Sequence, residues 1–305
     1  MRSLYILKVN IIITLFVLGG CGVMGGISET PEERHARETF VSVNDYVGEG
    51  YRLPDGQRND PIAKEKFEEI ASATEQFFLD KYKTEVIVHN AVGAKHGIMV
   101  FVESPNEPRF HTFAMMPVDA KEGKIFIEDI WTVEMQVEQA LFGGLLAMIM
   151  EEEFAALDQY IEELVENYPV IGMRPEAVST VTKSGYTTPF YFIQALSLRE
   201  DLERINRLYL DNPLISKEEL KNQFDIDNYN AEKLTISIEL FMEDHSIEPD
   251  ESIIQKIIND IKKVEGLPRG AYSVALHDNN ISKLTGIGDK DNSLIEGNIV
   301  QIIRK

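Results

Sequence analysis

The chain has 305 residues, enough for one large domain or two ordinary ones, and 51 acidic against 30 basic side chains give it a net charge of −21. So negative a chain is a poor partner for nucleic acid or for anionic lipid headgroups, both of which select clustered Lys and Arg. A hydrophobic content of 44% excludes a disordered stalk, and a single cysteine excludes an internal disulfide, so stability must come from a packed core.

At the start, Arg2 and Lys8 supply positive charge, Val9 to Leu18 is almost wholly apolar, and Gly19 and Gly20 stand just before the lone Cys21. Those are the three parts of a secretory signal peptide, which predicts residues 1–20 as a removed leader. The ending Leu18-Gly-Gly-Cys21 resembles the lipobox of bacterial lipoproteins. That resemblance implies a diacylglyceryl group on the Cys21 thiol, cleavage just before it, and a membrane held through palmitate-like chains. Burying each acyl methylene contributes about 0.8 kcal/mol, so two chains anchor stably without help from protein charge.

Residues 21–59 are predicted as tether and spacer. Gly22 to Ser28 is small and flexible by composition, Thr30-Pro-Glu-Glu33 has the pattern of a capping box, predicting a short helix to about Phe40, and Pro54-Asp-Gly56 is a turn. Asp60-Pro61 predicts a side-chain-capped helix with proline in its first turn, and Ile62, Phe67, Ile70, Thr74, Phe77, Phe78 and Tyr82 mark its apolar face. Four short strands follow at 85–92, 97–103, 110–118 and 124–127, joined by Gly, Pro and Asn loops, as in an antiparallel meander.

Glu134 to about Asn167 predicts a long helix broken near its middle. Its run Ala140 to Met150 is too short to cross a bilayer and is expected in the core, and Gly143-Gly144 imply close packing against a neighbour. In the second half, Ser197-Leu-Arg-Glu200 and Ser216-Lys-Glu-Glu219 have capping-box spacing. Leu234 to Met242 alternates as a strand, Pro249 to Val264 carries an isoleucine stripe (Ile253, Ile254, Ile257, Ile258, Ile261), and strands are expected near 271–277 and 298–303. The predicted fold class is α+β: a helix packed on an antiparallel meander, then a long buried helix and a C-terminal β-α-β-β unit. The subdomains run 60–195 and 196–305.

Chemistry-bearing patterns are few. His89, His96 and His111 fall on or beside adjacent strands, which makes a metal site conceivable, but metal-ligand spacing is lacking and surface or hydrogen-bonded roles are the simpler reading. Asp289 to Ser293 begins like a calcium loop but has Leu294 where glycine is required, and Gly286-Ile-Gly288 lacks the context of a nucleotide loop. No nucleophile motif occurs, so no catalytic residue, metal or cofactor is assigned. Tyr186, Phe190 and Tyr191, within Gly185-Tyr-Thr-Thr-Pro-Phe-Tyr-Phe-Ile193, carry large apolar area without helical or strand period. They either fill the seam between the two halves or line a ligand cleft.

Together with the lipobox, the segments Val43 to Tyr51, Phe110-His-Thr112, Tyr168-Pro-Val-Ile-Gly172 and Gly185 to Pro189 resemble a family of Bacillus and Staphylococcus lipoproteins known only as domain of unknown function 1672. The resemblance implies a Gram-positive cell surface, with the lipid in the outer leaflet, and supplies no catalytic residues. The expectation is a non-enzymatic, membrane-anchored binding or adaptor protein for an unknown protein or small molecule. A transporter's solute-binding lipoprotein and, third, an extracellular hydrolase are the alternatives.

Overall fold

A computed structural model describes residues 39–181, 184–195, 197–296 and 302–304. The predicted leader, Cys21 and the Thr30 to Glu33 box lie outside the described residues. In chain order the elements are β1 (Phe40–Ser42), α1 (Asp60–Glu65), α2 (Phe67–Tyr82), β2 (Ile87–Ala94), β3 (Gly97–Ser104), β4 (Phe110–Asp119), β5 (Lys124–Ile125), α3 (Gln136–Ile149), α4 (Glu151–Asn167) and β6 (Val170–Ile171). They continue with α5 (Pro175–Thr180), β7 (Tyr191–Gln194), α6 (Arg199–Asp211), α7 (Lys217–Lys221), β8 (Thr235–Met242), α8 (Glu251–Ile261), β9 (Gly270–His277), β10 (Asn280–Ser282), β11 (Leu294–Glu296) and β12 (Ile302–Arg304). The chain is a mixed α+β protein.

Residues 40–51 are joined more closely to the body than their composition implies. Phe40 stands in a strand rather than at a helix end, and β1 pairs antiparallel with β10, Phe40 opposite Ser282. Val43 and Tyr46 are completely buried among Ala177, Val181, Phe241 and Ile281. The Tyr46 hydroxyl donates to the Lys283 carbonyl at 3.1 Å, so its polar end is satisfied as well.

The meander forms as expected, in the order β2-β3-β4-β5 with every neighbour antiparallel. Helix α2 lays Ile70, Thr74, Phe78 and Tyr82, each four residues apart, against it, where they meet Ile98, Val100, Val102 and Met116. The expected Asp60 cap is not made. Asn59 occupies the cap position without a capping bond. Its amide instead donates to the carbonyls of Ala94 and Gly97, while Asp60 Oδ1 accepts from the Gly93 N–H at 2.7 Å. Tertiary partners on β2 and β3 thus take both side chains away from the helix end. Pro61 in the first turn stands as predicted.

The long helix is broken at Met150 into α3 and α4. Nine residues of α3 are buried, and its core is continuous from Phe110 on β4 to Tyr272 and Leu276 on β9, so one helix joins both halves. The second sheet centres on parallel β8 and β9, connected by α8, whose five isoleucines are all buried. Antiparallel β6 and β7 flank β8, and β11 and β12 flank β9. Phe241, assigned by alternation to the outer face of β8, is buried too, because the 43–46 segment covers that face. Ser216 and Glu219 form a reciprocal capping box on α7. Ser197 does not cap α6: the cap position falls to Leu198, whose side chain is drawn into the core.

Candidate binding cleft

The register of three strands assembles the first wall of a cleft. Glu103 on β3 stands directly opposite His111 on β4. On β2 the pairing skips a residue between Val88 and Asn90, a bulge that turns His89 toward the same carboxylate. His89 Nε2 lies 2.7 Å from Glu103 Oε2, and Ser179, presented by α5, donates to that oxygen at 3.1 Å. Ser179 Oγ is also 3.4 Å from His111 Nε2, which itself lies 3.9 Å from Glu103 Oε2. His96 sits apart in the β2–β3 turn, exposed.

His111 is 8% exposed, and burial, aided by His89 and opposed by Glu103, pushes its pKa down to about 4, so the ring is neutral at physiological pH. Its Nδ1 has no hydrogen-bond partner among the described residues. In a Ser-His-acid relay the acid and the nucleophile occupy opposite nitrogens of the imidazole. Here Ser179 and Glu103 share one nitrogen, so the trio is not such a relay. Among the described residues no three His, Cys, Asp or Glu side chains are placed to hold a metal ion.

The aromatic segment makes the second wall. Gly185 and His111 exchange backbone hydrogen bonds of 2.9 Å in both directions, which lays residues 184–188 along β4. At Pro189 the chain reverses around Thr188, whose hydroxyl accepts from the Phe190 and Tyr191 N–H groups. Sequence reasoning posed core or cleft for the whole segment, and the three aromatics divide between the two. Tyr191, 1% exposed, stacks on Phe154 with 10° between the rings and donates its hydroxyl to Asp158 Oδ1 at 2.8 Å. Tyr186, 8% exposed, packs against both of those rings and lines the cleft, as does half-buried Phe190.

Gly143 and Gly144 on α3 set the back of the cleft. A Cβ on Gly143 would stand 3.1 Å from the Tyr186 backbone nitrogen, and one on Gly144 would stand 2.6 Å from the Arg109 carbonyl oxygen. The close packing implied by this glycine pair is therefore against two cleft residues. The space enclosed measures about 390 Å³ and is lined by Glu103, Arg109, Phe110, His111, Asp158, Glu162, Ser179, Tyr186, Thr187, Thr188 and Phe190, among others. Past Arg109, Asp158 and Tyr186 it continues into a second recess of about 210 Å³ along α4. Burial raises the Asp158 carboxyl pKa, against the Tyr191 hydrogen bond, while Glu162 adds to the rise and Arg109 offsets it.

Sequence reasoning missed Glu103, Ser179, Asp158 and Arg109. No local pattern marks them. The one available signal was that His89 and His111 lay on strands of one meander with a carboxylate on the strand between. The Asp289 to Ser293 segment is a polar turn between β10 and β11, in which Ser293 Oγ accepts from the Lys290 N–H and Lys290 pairs with Asp278. No described helix is long and apolar enough to cross a membrane.

Fold and cleft define an α+β body whose described strands form three sheets, with a mixed polar and aromatic groove between the meander and the segments that carry Asp158, Ser179 and Tyr186. A family model described as a protein of unknown function, DUF1672, matches residues 33–305, and the chain belongs to that family. A crystal structure of a DUF1672 family protein from Staphylococcus aureus, at 1.80 Å resolution, is similar with a TM-score of 0.69 and 18% sequence identity, over 88% of this chain and 98% of that one. At that identity the likeness concerns the fold. No curated protein matches the sequence.

Proposed function

We propose that this protein is a lipid-anchored, non-enzymatic binding protein on the outer face of the cell membrane, and that the cleft holds its ligand. The observation that carries the reading is a cavity of about 390 Å³, in the range of small-molecule pockets, with buried polar groups on its floor and aromatic rings on its walls. Binding rather than turnover is favoured by the crowding of Ser179 and Glu103 onto one nitrogen of His111, which leaves no acid to orient the ring behind a nucleophile. The order of charge, apolar run, small residues and Cys21 supports the anchor. A transporter's solute-binding fold is disfavoured, since it needs repeated β-α units about parallel sheets and the described strands contain one parallel pair, β8 with β9.

Phe190→Ala tests the cleft. Its ring is half-buried, so the melting temperature should stay close to that of the wild type, while stabilisation by small-molecule library members should be lost. A library compound that stabilises the variant as much as the wild type would place binding elsewhere. Cys21→Ala tests the anchor. It should abolish palmitate labelling and partition into detergent, and a variant that keeps both would overturn the lipid assignment.

A further inference from the structure

We infer that the ligand of this cleft is a small organic cation, an amine or guanidinium carried on an apolar body the size of an aromatic ring. The inference rests on the proposed binding role and names the chemistry of its ligand. Among the described residues lining the 390 Å³ cavity, three carboxylates, Glu103, Asp158 and Glu162, face one guanidinium, that of Arg109. His111, buried on the floor, adds no positive charge near neutral pH.

Among the described residues the carboxylates are poorly compensated. Asp158 and Glu162 are four residues apart on α4, one above the other on the same helix face, where like charges repel. That repulsion is felt at Asp158, whose pKa Glu162 helps to raise. Arg109 partly offsets it electrostatically, yet it forms no ion pair or hydrogen bond with a described residue, and neither does Glu162. Tyr191 satisfies only Oδ1 of Asp158. On Glu103 the contacts from His89, Ser179 and His111 all fall on Oε2, so Oε1 is without one among the described residues. A cation entering between these groups would remove the repulsion and supply the missing donors.

The walls select the rest of the ligand. Tyr186, Phe190 and Phe110 line the same space, suited to an apolar body and to attraction between a cation and a ring face. His111 Nδ1, a buried atom without a partner among the described residues, is an acceptor whenever Nε2 carries the ring proton toward Glu103. An N–H donor suits that arrangement. At long range the net charge of −21 attracts cations and repels anions.

The experiment uses the full chain in detergent and three probes with a common ring: 2-phenylethylamine, 2-phenylethanol and 3-phenylpropionate, titrated by calorimetry at low and high salt. The amine should bind about ten-fold or more tighter than the alcohol, weaken as salt rises, and leave the carboxylate without measurable binding. Glu162→Gln, at an exposed position, should cut amine affinity several-fold with no change in melting temperature, and Asp158→Asn should do likewise. Preferential binding of 3-phenylpropionate, lost in an Arg109→Gln variant, would overturn the cation assignment and leave the cleft as a binding site. Equal binding of amine and alcohol, or no binding of the amine at millimolar concentration, would also overturn it. Failure of the binding role itself is read separately, from the Phe190→Ala library experiment.

Discussion

Two buried histidines in this protein each meet a serine and a glutamate, and they differ in what is left over. His277 on β9, 2% exposed, has Nδ1 2.8 Å from Ser293 Oγ and Nε2 3.6 Å from Glu239 Oε1, with the Phe241 ring packed beside it at 5.2 Å. Both nitrogens face polar partners, and the site is sealed by the 43–46 segment and the Gly286–Gly288 turn. His111 presents one nitrogen to two partners, has no hydrogen-bond partner at the other among the described residues, and borders a cavity. The first arrangement closes a sheet. The second leaves polar capacity unused beside open space, which is what the proposed ligand site requires and a purely structural contact does not.

Removing each histidine gives the largest expected contrast. His277→Ala should cost about 3 kcal/mol, since it creates a void in a closed core and strips partners from Ser293 and Glu239. His111→Ala should cost about 1 kcal/mol or less, because the ring already adjoins a cavity and half of its hydrogen-bonding capacity is unused. Urea unfolding of the two variants measures both values, and equal costs would erase the distinction.

Acid sharpens the comparison from the other side. His111 titrates near 6.5 in the unfolded chain and at about 4 in the fold, so between those values the unfolded state takes up a proton that the native state refuses. The contribution of this group is therefore complete above about pH 6.5 and is lost as the pH falls toward 4, a change on the order of 3 kcal/mol. In His111→Gln this part of the pH dependence should vanish. Stability curves of wild type and variant that run parallel from pH 7 to pH 4 would show that burial does not hold the ring neutral.

Legibility in the sequence followed the range of the contacts. Wherever one face of an element is buried against a large core, its period is local and readable, as in Ile70, Thr74 and Phe78 on α2 or Ile253, Ile257 and Ile261 on α8. The glycine pair of α3 was readable as close packing, though not what it packs against. The cleft was legible only through its aromatic segment and through the histidines of the meander. Glu103 and His89 meet because of a bulge, and Ser179 arrives from 76 residues away along the chain, so neither contact leaves a trace in local spacing. The same limit explains Asp60 and Ser197, whose cap-like sequences could not reveal that β2 binds one side chain and that burial of Leu198 moves the start of the other helix. Val43 and Tyr46 sit in a segment that is polar by composition, and their burial depends on residues such as Phe241 and Ile281 far along the chain.

Gly144→Ala should break the cleft side of the comparison with a smaller cost. The added methyl would stand 2.6 Å from the Arg109 carbonyl oxygen and 3.1 Å from the Pro108 Cβ, so the backbone at Arg109 must shift. Overpacking of this kind costs about 1 to 3 kcal/mol. Arg109 leads directly into Phe110 and His111, so the shift should also change ligand affinity while the His277 site stays intact. Tryptophan or tyrosine fluorescence on its own cannot separate those effects, but NMR of the two histidine rings can: His111 resonances should move and those of His277 should not.

The smallest effects concern the two serines, and here the comparison predicts a reversal of what a catalytic reading would require. Ser293 Oγ accepts from the Lys290 N–H at 2.9 Å and pairs with His277 Nδ1, so it is the polar hinge of a turn closing on a buried ring. Ser293→Ala leaves both partners unmet and should cost about 1 to 2 kcal/mol. Ser179 has one proton to share between the Pro175 carbonyl, at 3.2 Å, and Glu103, while its oxygen stands 3.4 Å from His111 Nε2. At most one of these receives a good hydrogen bond at a time, and Glu103 keeps His89 whether or not the serine is present. Ser179→Ala should therefore cost less than about 1 kcal/mol and leave ligand affinity within a few-fold of wild type. A serine acting as nucleophile would give the opposite pattern, unchanged stability with complete loss of turnover on an ester or amide probe. Measurable hydrolysis by the wild type that disappears in Ser179→Ala would overturn the assignment of this cleft to binding alone.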